Sequence, residues 1–223
     1  MYSVTTQPEE LDDEPVGLRE RRRRETQREV SDAALELFER KGVAATTVDE
    51  IARAAGISAR TFFRYYPTKE DAAFAPDDDT AAAVHRDTLA AIRAGEPVAA
   101  ALETGWLRLL EAFDARPDTH DRSLRLRRLV HAEPGLLAVA LRNEAASADT
   151  LTDAAVDAAK ADGDVLTARA LITAVSCTVR LAFDEWARRV ELGQTSSVRE
   201  IYLGLRRGLA TYAHQFDAVD DRG

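Results

Sequence analysis

The chain has 223 residues, 31% of them charged and 45% hydrophobic, with a formal net charge of −9 and one cysteine, Cys177. That length accommodates one small and one medium domain, and a lone cysteine excludes an intrachain disulfide and gives no sign of an oxidising compartment. With no uninterrupted run of 18 apolar residues and an acidic, polar N-terminus, the expected location is the cytoplasm, with no membrane partner.

The acidic balance would argue against nucleic acid if it were evenly spread, and it is not. Met1 to Pro15 holds five acidic residues and no basic ones, whereas Val16 to Asp71 holds 12 Lys or Arg against 10 Asp or Glu. The first predicted helix opens on Arg19, Arg21, Arg22, Arg23, Arg24 and Arg28, outnumbering Glu20 and Glu25. Such a cluster is either a solubilising face or a segment that lies along phosphates. Behind it Val30, Ala33, Ala34, Leu37 and Phe38 recur at i, i+3, i+4, i+7 and i+8, an apolar stripe for packing. Gly42 closes this helix. Thr47 stands three residues before Glu50, the spacing of a capping box, so a second helix starts at Val48 with Val48, Ile51, Ala52 and Ala55 facing inward. Gly56 ends it, Ile57 tucks into the angle, and Ser58 caps a third helix from Ala59 to about Tyr66. Phe62 and Tyr66 share its anchoring face. Arg60, Thr61, Phe63, Arg64 and Tyr65 are left to solvent, a set suited to a DNA major groove, where Arg reads guanine and Thr or Phe meets a thymine methyl. Pro67 stops the helix, and Thr68 with Asp71 caps the next, placing Lys69 in a first turn that favours a phosphate.

The stretch TTVDEIARAAGISARTFFRYYPTKED, Thr46 to Asp71, with the helix before it from about Leu18, resembles the TetR (tetracycline-repressor-like) family of bacterial transcriptional regulators. It is most similar to the actinobacterial branch that includes the mycofactocin-system regulator. The chain departs from the family at Phe63, where a tyrosine usually reaches the DNA backbone, so an apolar base contact replaces a phosphate hydrogen bond there. The candidate DNA contacts are Arg22, Arg23, Arg24, Thr46, Thr47, Ser58, Arg60, Thr61, Phe63, Arg64, Tyr65 and Lys69. The acidic residues from Glu9 to Glu14 read as a disordered tail competing with DNA for the arginines.

Beyond Asp71 no strand alternation occurs, and the breakers Pro76, Gly95 to Pro97, Pro117, Pro134 with Gly135, Gly163 and Gly193 to Ser197 divide the chain. They predict helices at 69–75, 79–94, 97–114, 121–132, 135–161, 164–192 and 197–216. The expected fold is all-α: a disordered acidic tail at 1–17, a helix-turn-helix DNA-binding domain at 18–68, a helical ligand-binding and dimerisation domain at 69–217, and a tail at 218–223. Val198, Ile201, Tyr202, Leu205, Leu209 and Tyr212 form one stripe, while apolar residues from Leu166 to Trp186 spread around several faces. The resemblance implies that these two helices pair with those of a second subunit; the alternative is a buried central helix of a monomer.

What the resemblance implies in function is a homodimeric repressor of a near-palindromic double-stranded DNA operator, released by a small-molecule effector in the second domain. Candidates for that pocket are Trp106, Phe113, His131, Arg142, Ser176, Cys177 and Arg180. The structural alternatives are core packing for Trp106, Phe113 and Cys177, helix capping for His131 and Arg142, and pairing with Asp184 for Arg180. The branch named above is associated with acyl-coenzyme A ligands, for which arginines at a pocket mouth are fitting. No catalytic, metal or cofactor motif occurs: Asp118, His120 and Asp121 sit in a loop where Asp is a routine turn residue, and the four histidines are scattered. A helical-bundle enzyme or scaffold without operator binding is the alternative class.

Overall fold

A computed structural model describes residues 16–75, 79–158 and 165–220. Most of the expected acidic tail, the breakers Pro76 and Gly163 and the end of the C-terminal tail lie outside the described residues, as do the side chains of 212–220, including Tyr212.

Among the described residues ten α-helices follow in chain order: α1 Val16–Lys41, α2 Val48–Ala54, α3 Ala59–Tyr65, α4 Lys69–Ala72, α5 Thr80–Arg93, α6 Val98–Asp114, α7 His120–Ala132, α8 Pro134–Ala158, α9 Val165–Glu191 and α10 Val198–Asp220. A 3₁₀ turn, Pro117–Thr119, leads into α7, and there is no strand among the described residues. The all-α expectation holds, with an N-terminal helix-turn-helix unit followed by a larger helical part. Gly42, Gly56, Gly95 and Gly193 terminate helices at positive φ, the conformation that made glycine the stop signal in the sequence.

Three buried clusters hold the described residues together. The first joins Val30, Ala34, Leu37 and Phe38 of α1 to Ile51 and Ala52 of α2 and Phe62 of α3. It also takes in Leu129 of α7 and Leu136 of α8, so the helix-turn-helix unit is closed from below by the later helices. The second cluster packs Leu110 and Leu124 against Val179, Trp186, Val198 and Tyr202. The third packs Leu89, Ile92 and Leu102 against Leu151 and Ile172. Helix α5 lies on α6 and α8, and α9 is flanked by α8 and α10.

Helix α10 starts on a carboxylate from another helix. Asp114, at the end of α6, accepts the backbone N–H groups of Val198 at 2.9 Å and Arg199 at 3.1 Å and the Ser197 hydroxyl at 2.6 Å. A negative charge there answers both the free N–H groups and the positive end of the helix.

Helix α9 is apolar on several sides, and its burial is uneven. Ile172, Val179, Ala182 and Trp186 are enclosed, whereas Leu181 is 50% and Leu166 75% exposed. Its most apolar window, of mean hydropathy 1.5, is long enough to cross a membrane by length and composition, yet only 22% of that window is buried. Val198, Ile201 and Tyr202 of α10 are buried within the subunit, while Leu209 is 54% exposed. The two long C-terminal helices therefore share an uncovered apolar face.

Because Asp114 supplies three acceptor contacts to α10, Asp114→Ala should lower the unfolding free energy by about 1–3 kcal/mol. Chemical denaturation should show the loss, with far-UV dichroism largely retained before the transition.

Candidate nucleic-acid interface

The helix-turn-helix geometry is set by three caps. The Thr47 hydroxyl accepts the Glu50 N–H at 3.3 Å, and the Glu50 carboxylate accepts the Thr47 N–H at 2.9 Å and its hydroxyl at 2.8 Å, completing the capping box. Lys41, in the last turn of α1, donates to the other Glu50 oxygen at 2.5 Å. That ammonium, with the Thr47 backbone and hydroxyl donors, holds the Glu50 carboxyl down at about 2. At the turn, Gly56 adopts φ +68 and the Ile57 N–H donates to Ala52 O at 2.9 Å, fixing the angle between α2 and α3. The Ser58 hydroxyl then accepts the Thr61 N–H at 3.1 Å and shares a 3.0 Å hydrogen bond with the Thr61 hydroxyl.

Helix α3 is anchored by one face. Phe62 is fully buried, with its ring centroid 5.7 Å from that of Tyr66. The Tyr66 hydroxyl donates to Gln27 O at 3.0 Å, tying the end of α3 to α1. With that face occupied, Arg60, Phe63 and Arg64 project outward, Phe63 at 57% exposure. The Phe63 ring meets Phe62 edge-on at 5.6 Å, which gives it a rigid base. Arg64 lies over the Tyr65 ring at 5.0 Å and donates to the Tyr65 hydroxyl at 3.2 Å. Arg60 makes no hydrogen bond or ion pair among the described residues. Arg21, Arg22, Arg23 and Arg24 are exposed on the first turns of α1; Arg21 lies 3.7 Å from Glu25, and Arg24 pairs with Asp79 just before α5.

Two residues expected at DNA are committed elsewhere. Thr46 is buried, and its hydroxyl donates to Gly42 O at 2.8 Å, closing the turn after α1. The Lys69 ammonium donates to Val43 O at 2.7 Å and Thr46 O at 2.8 Å. Its chain runs back to the α1–α2 connection, where Val43 O also accepts the Thr46 N–H at 3.2 Å, so Lys69 latches α4 to the helix-turn-helix unit instead of extending into solvent. The Thr68 hydroxyl caps α4 by accepting the Asp71 N–H at 3.2 Å, as its spacing predicted.

The expected effector residues do not converge. Phe113 belongs to an aromatic cluster, 4.5 Å from His120 and 5.0 Å from both Phe183 and Trp186. The His120 Nε2 atom is 3.0 Å from Phe113 O, so this ring is tied into the same packing. His131 lies on the surface, 3.4 Å from Asp184. Arg142 of α8 pairs with Asp71 of α4. Arg180 meets Glu144 of α8 at 3.1 Å and the Cys177 sulfur at 3.3 Å, not Asp184, whose carboxylate is occupied by Arg127 and His131. Cys177 is exposed rather than buried, lining the apolar groove between α9 and α10. Ser176 is half-buried on α9. Trp106 opens on a cavity of about 360 Å³ between α5, α6 and α8, in company with His85, Thr88 and Ser147, which sequence reasoning passed over. The available signal was polar side chains on otherwise apolar helix faces.

A family model described as bacterial regulatory proteins, tetR family, matches residues 30–74. The chain is 37% identical over 132 residues to the HTH-type transcriptional regulator TcmR of Streptomyces glaucescens, covering 56% of this chain and 57% of that protein. It is 55% identical over 49 residues to MftR of Mycobacterium tuberculosis, named as a mycofactocin biosynthesis transcriptional regulator, covering 22% and 25% of the two chains. The chain thus spans little more than half the length of the first relative and a quarter of the second. Among solved structures, similar ones are Thermus thermophilus FadR, a TetR family transcriptional repressor in complex with lauroyl-CoA (21% identity, 81% of this chain and 91% of that one, TM-score 0.47), and a TetR-like regulator from Rhodococcus sp. RHA1 (20% identity, 83% and 96%, TM-score 0.39).

Two measurements check this local architecture. Lys69→Met removes a charged donor from two carbonyls and should cost about 1.5–3 kcal/mol of stability in denaturant melts. For Glu50 the carboxyl is held below its usual 4.5, so its contribution is complete above that pH and is lost as the pH falls through about 2. Thermal melts of Glu50→Gln should accordingly lie below those of the unmodified protein at pH 7, with the gap closing between pH 4.5 and 2.

Proposed function

We propose that this chain, which belongs to the TetR family of bacterial regulatory proteins, is a sequence-specific DNA-binding transcriptional regulator. It acts as a homodimer on a near-palindromic operator in double-stranded DNA, as a repressor released by a small-molecule effector. The observation that carries the reading is α3, a short helix pinned by Phe62 and Tyr66 that presents Arg60, Phe63 and Arg64 to solvent from a rigidly capped turn. Protein surfaces seldom hold a large aromatic side chain out between two guanidinium groups; a major groove offers partners to all three. A regulator that works on chromosomal DNA belongs in the cytoplasm.

Within this reading Arg60 is the primary base reader, since its guanidinium has no hydrogen-bond or ion-pair partner to leave among the described residues. Arg64, braced on Tyr65, contacts either a base or the adjoining backbone, and Phe63 meets a thymine methyl. Arg22, Arg23 and Arg24, with the cap hydroxyls of Thr47 and Ser58, supply phosphate contacts that set register without reading sequence. On this reading the DNA-binding unit spans 18–68 and the ligand-binding and dimerisation part spans 69–217.

The uncovered face of α9 and α10 is the proposed subunit interface. Ala174, Cys177, Leu181, Leu205 and Leu209 line an apolar groove there, with Gly204 and Gly208 admitting close approach of a partner helix. A second copy covers this face on both subunits at once, as a two-fold interface requires. A lipid surface would not suit it, because α9 also carries Arg169 and Arg180 and ends in the Glu185, Arg188 and Arg189 ion pairs.

Effector coupling has a physical route. The cavity beside Trp106 touches α8, and α8 reaches the reader through Leu136 in its core and Arg142 on Asp71 of α4. A hundredfold loss of operator affinity needs only about 2.7 kcal/mol of coupling, matched by an equal loss of effector affinity on DNA.

Selection of bound duplexes from a randomised pool tests the central reading, which requires the enriched sequences to share a near-palindrome; an enzyme or scaffold would retain no sequence. Arg60→Ala should cost about 1–3 kcal/mol on the enriched operator and relax preference at one position per half-site. Arg23→Ala should weaken all duplexes alike and lower the salt slope by about one unit. Leu205→Glu with Leu209→Glu should convert a sedimenting dimer to a monomer without changing helical content, and tight operator binding should disappear with it. Val198 and Tyr202, part of the same stripe in the sequence, are unsuitable for that test because they are core residues of the subunit.

A further inference from the structure

The cavity between α5, α6 and α8 has a distinctive chemistry. Its walls are Val84, Leu102, Leu109 and Leu151 with Trp106, and its polar groups are His85, Thr88 and Ser147. Among the described residues no lysine, arginine, aspartate or glutamate lines it. At about 360 Å³ it sits at the small end of the roughly 300–1,000 Å³ range of ligand pockets.

From this lining we infer that the effector is a compact, uncharged and mostly apolar molecule, anchored by one hydroxyl or carbonyl group between His85 and Ser147. The inference rests on the proposed effector-released regulator and names the chemical class that its pocket accepts.

The polar groups differ in what they have left to offer. The Thr88 hydroxyl donates to Val84 O at 2.8 Å, within its own helix, and so retains only acceptor capacity. Ser147 Oγ and His85 Nδ1 are 3.5 Å apart, at the outer limit of a hydrogen bond, so a ligand oxygen that bridges the two from the cavity side would gain better partners than they give each other. The Trp106 indole N–H has no hydrogen-bond partner among the described residues and adds a donor on the α6 side. Burial pushes the His85 imidazole below its usual value, so the ring is neutral at pH 7 and gives no compensation to an anion. A carboxylate entering here would lose its hydration against apolar walls with no cation to meet it. A phosphorylated ligand would find none of the guanidinium or ammonium groups that recognise phosphate. Packing also fixes the size limit: a methyl group on Gly105 would lie 2.3 Å from the Thr88 hydroxyl oxygen, so the α5–α6 crossing is closed as tightly as the backbone allows.

Equilibrium dialysis of the full-length protein at pH 7.5 tests the assignment with three kinds of probe: uncharged one- and two-ring phenols including 2-naphthol, the matched carboxylates including 2-naphthoate, and lauroyl-CoA. At least one phenol should bind saturably and at least tenfold more tightly than its carboxylate. Ser147→Phe, which fills the cavity from the half-buried face of α8, should abolish that binding. His85→Leu, a second variant that adds no bulk, should weaken it at least tenfold. The inference is overturned if no phenol binds saturably at millimolar concentration, if a carboxylate or lauroyl-CoA binds as tightly as the phenols and is displaced by Ser147→Phe, or if both variants leave phenol binding unchanged. Operator retention by the same preparations is scored separately: its loss in the unmodified protein would count against the regulator reading, whereas intact operator binding with the wrong ligand preference would count against this inference alone.

Discussion

The constraint on which the rest of the structure depends is the double attachment of α7. From one side Arg122 donates to Asp32 at 3.0 Å and to the buried Ser31, and Arg125 makes a forked pair with Glu39 at 2.7–3.0 Å, all on α1. From the other side Arg127 meets Asp184 and Arg128 meets Glu191 at 2.7 Å, both on α9. A single helix of 13 residues is thereby fastened to the first helix of the reader and to the long helix of the proposed interface. Exposed pairs of this kind contribute little one by one. Their weight here comes from convergence on one rigid element, from the near-complete enclosure of the Arg122 side chain, and from Leu129, which carries α7 into the reader core. Burial pulls the Arg127 guanidinium below its usual value while Asp184 pulls it back up, the signature of a charge that must keep its partner.

Around that attachment the reader is self-consistent at short range and dependent at long range. Thr47 with Glu50, Gly56, and Ser58 with Thr61 are local devices that would define the same turn in any context. The orientation of the turn relative to the second part is not local. It comes from Lys69 reaching back to Val43, Tyr66 reaching back to Gln27, and Arg142 reaching Asp71 across the chain. In the proposed dimer, a displacement of α8 of a fraction of an ångström would be delivered to both copies of α3 as a change in their separation.

This division also explains what could be read from the residues alone. Helix ends were legible because caps and stops act over three or four residues: the predicted helices at 79–94, 97–114 and 197–216 correspond to α5, α6 and α10, with ends displaced by a few residues at most except at the last C-terminus. The anchoring of α3 by Phe62 and Tyr66 was legible because they lie one turn apart. The partners of Lys69, Arg142 and Arg180 were not, since each long side chain has several carboxylates or carbonyls within reach once the chain is folded, and sequence spacing ranks only those on its own helix. Arg180 illustrates the failure: Asp184 one turn on was the local choice, yet Arg127 and His131 occupy it and Glu144 of α8 takes Arg180 instead. The cavity was invisible for the same reason, because His85 and Ser147 are 62 positions apart and meet only through the packing of α5 on α8.

The uncovered face of α9 and α10 also bears on how such a molecule behaves at low copy number. If this face is shared between two subunits, each polypeptide leaves the ribosome with an apolar strip that only another copy can cover. Below the dissociation constant of that pairing, the amount of paired protein rises as the square of the amount synthesised. A halving of the concentration, as when a cell doubles its volume without further synthesis, would then cut the concentration of the assembled form fourfold, making the ratio of gene dosage to cell volume an input to the proposed regulation.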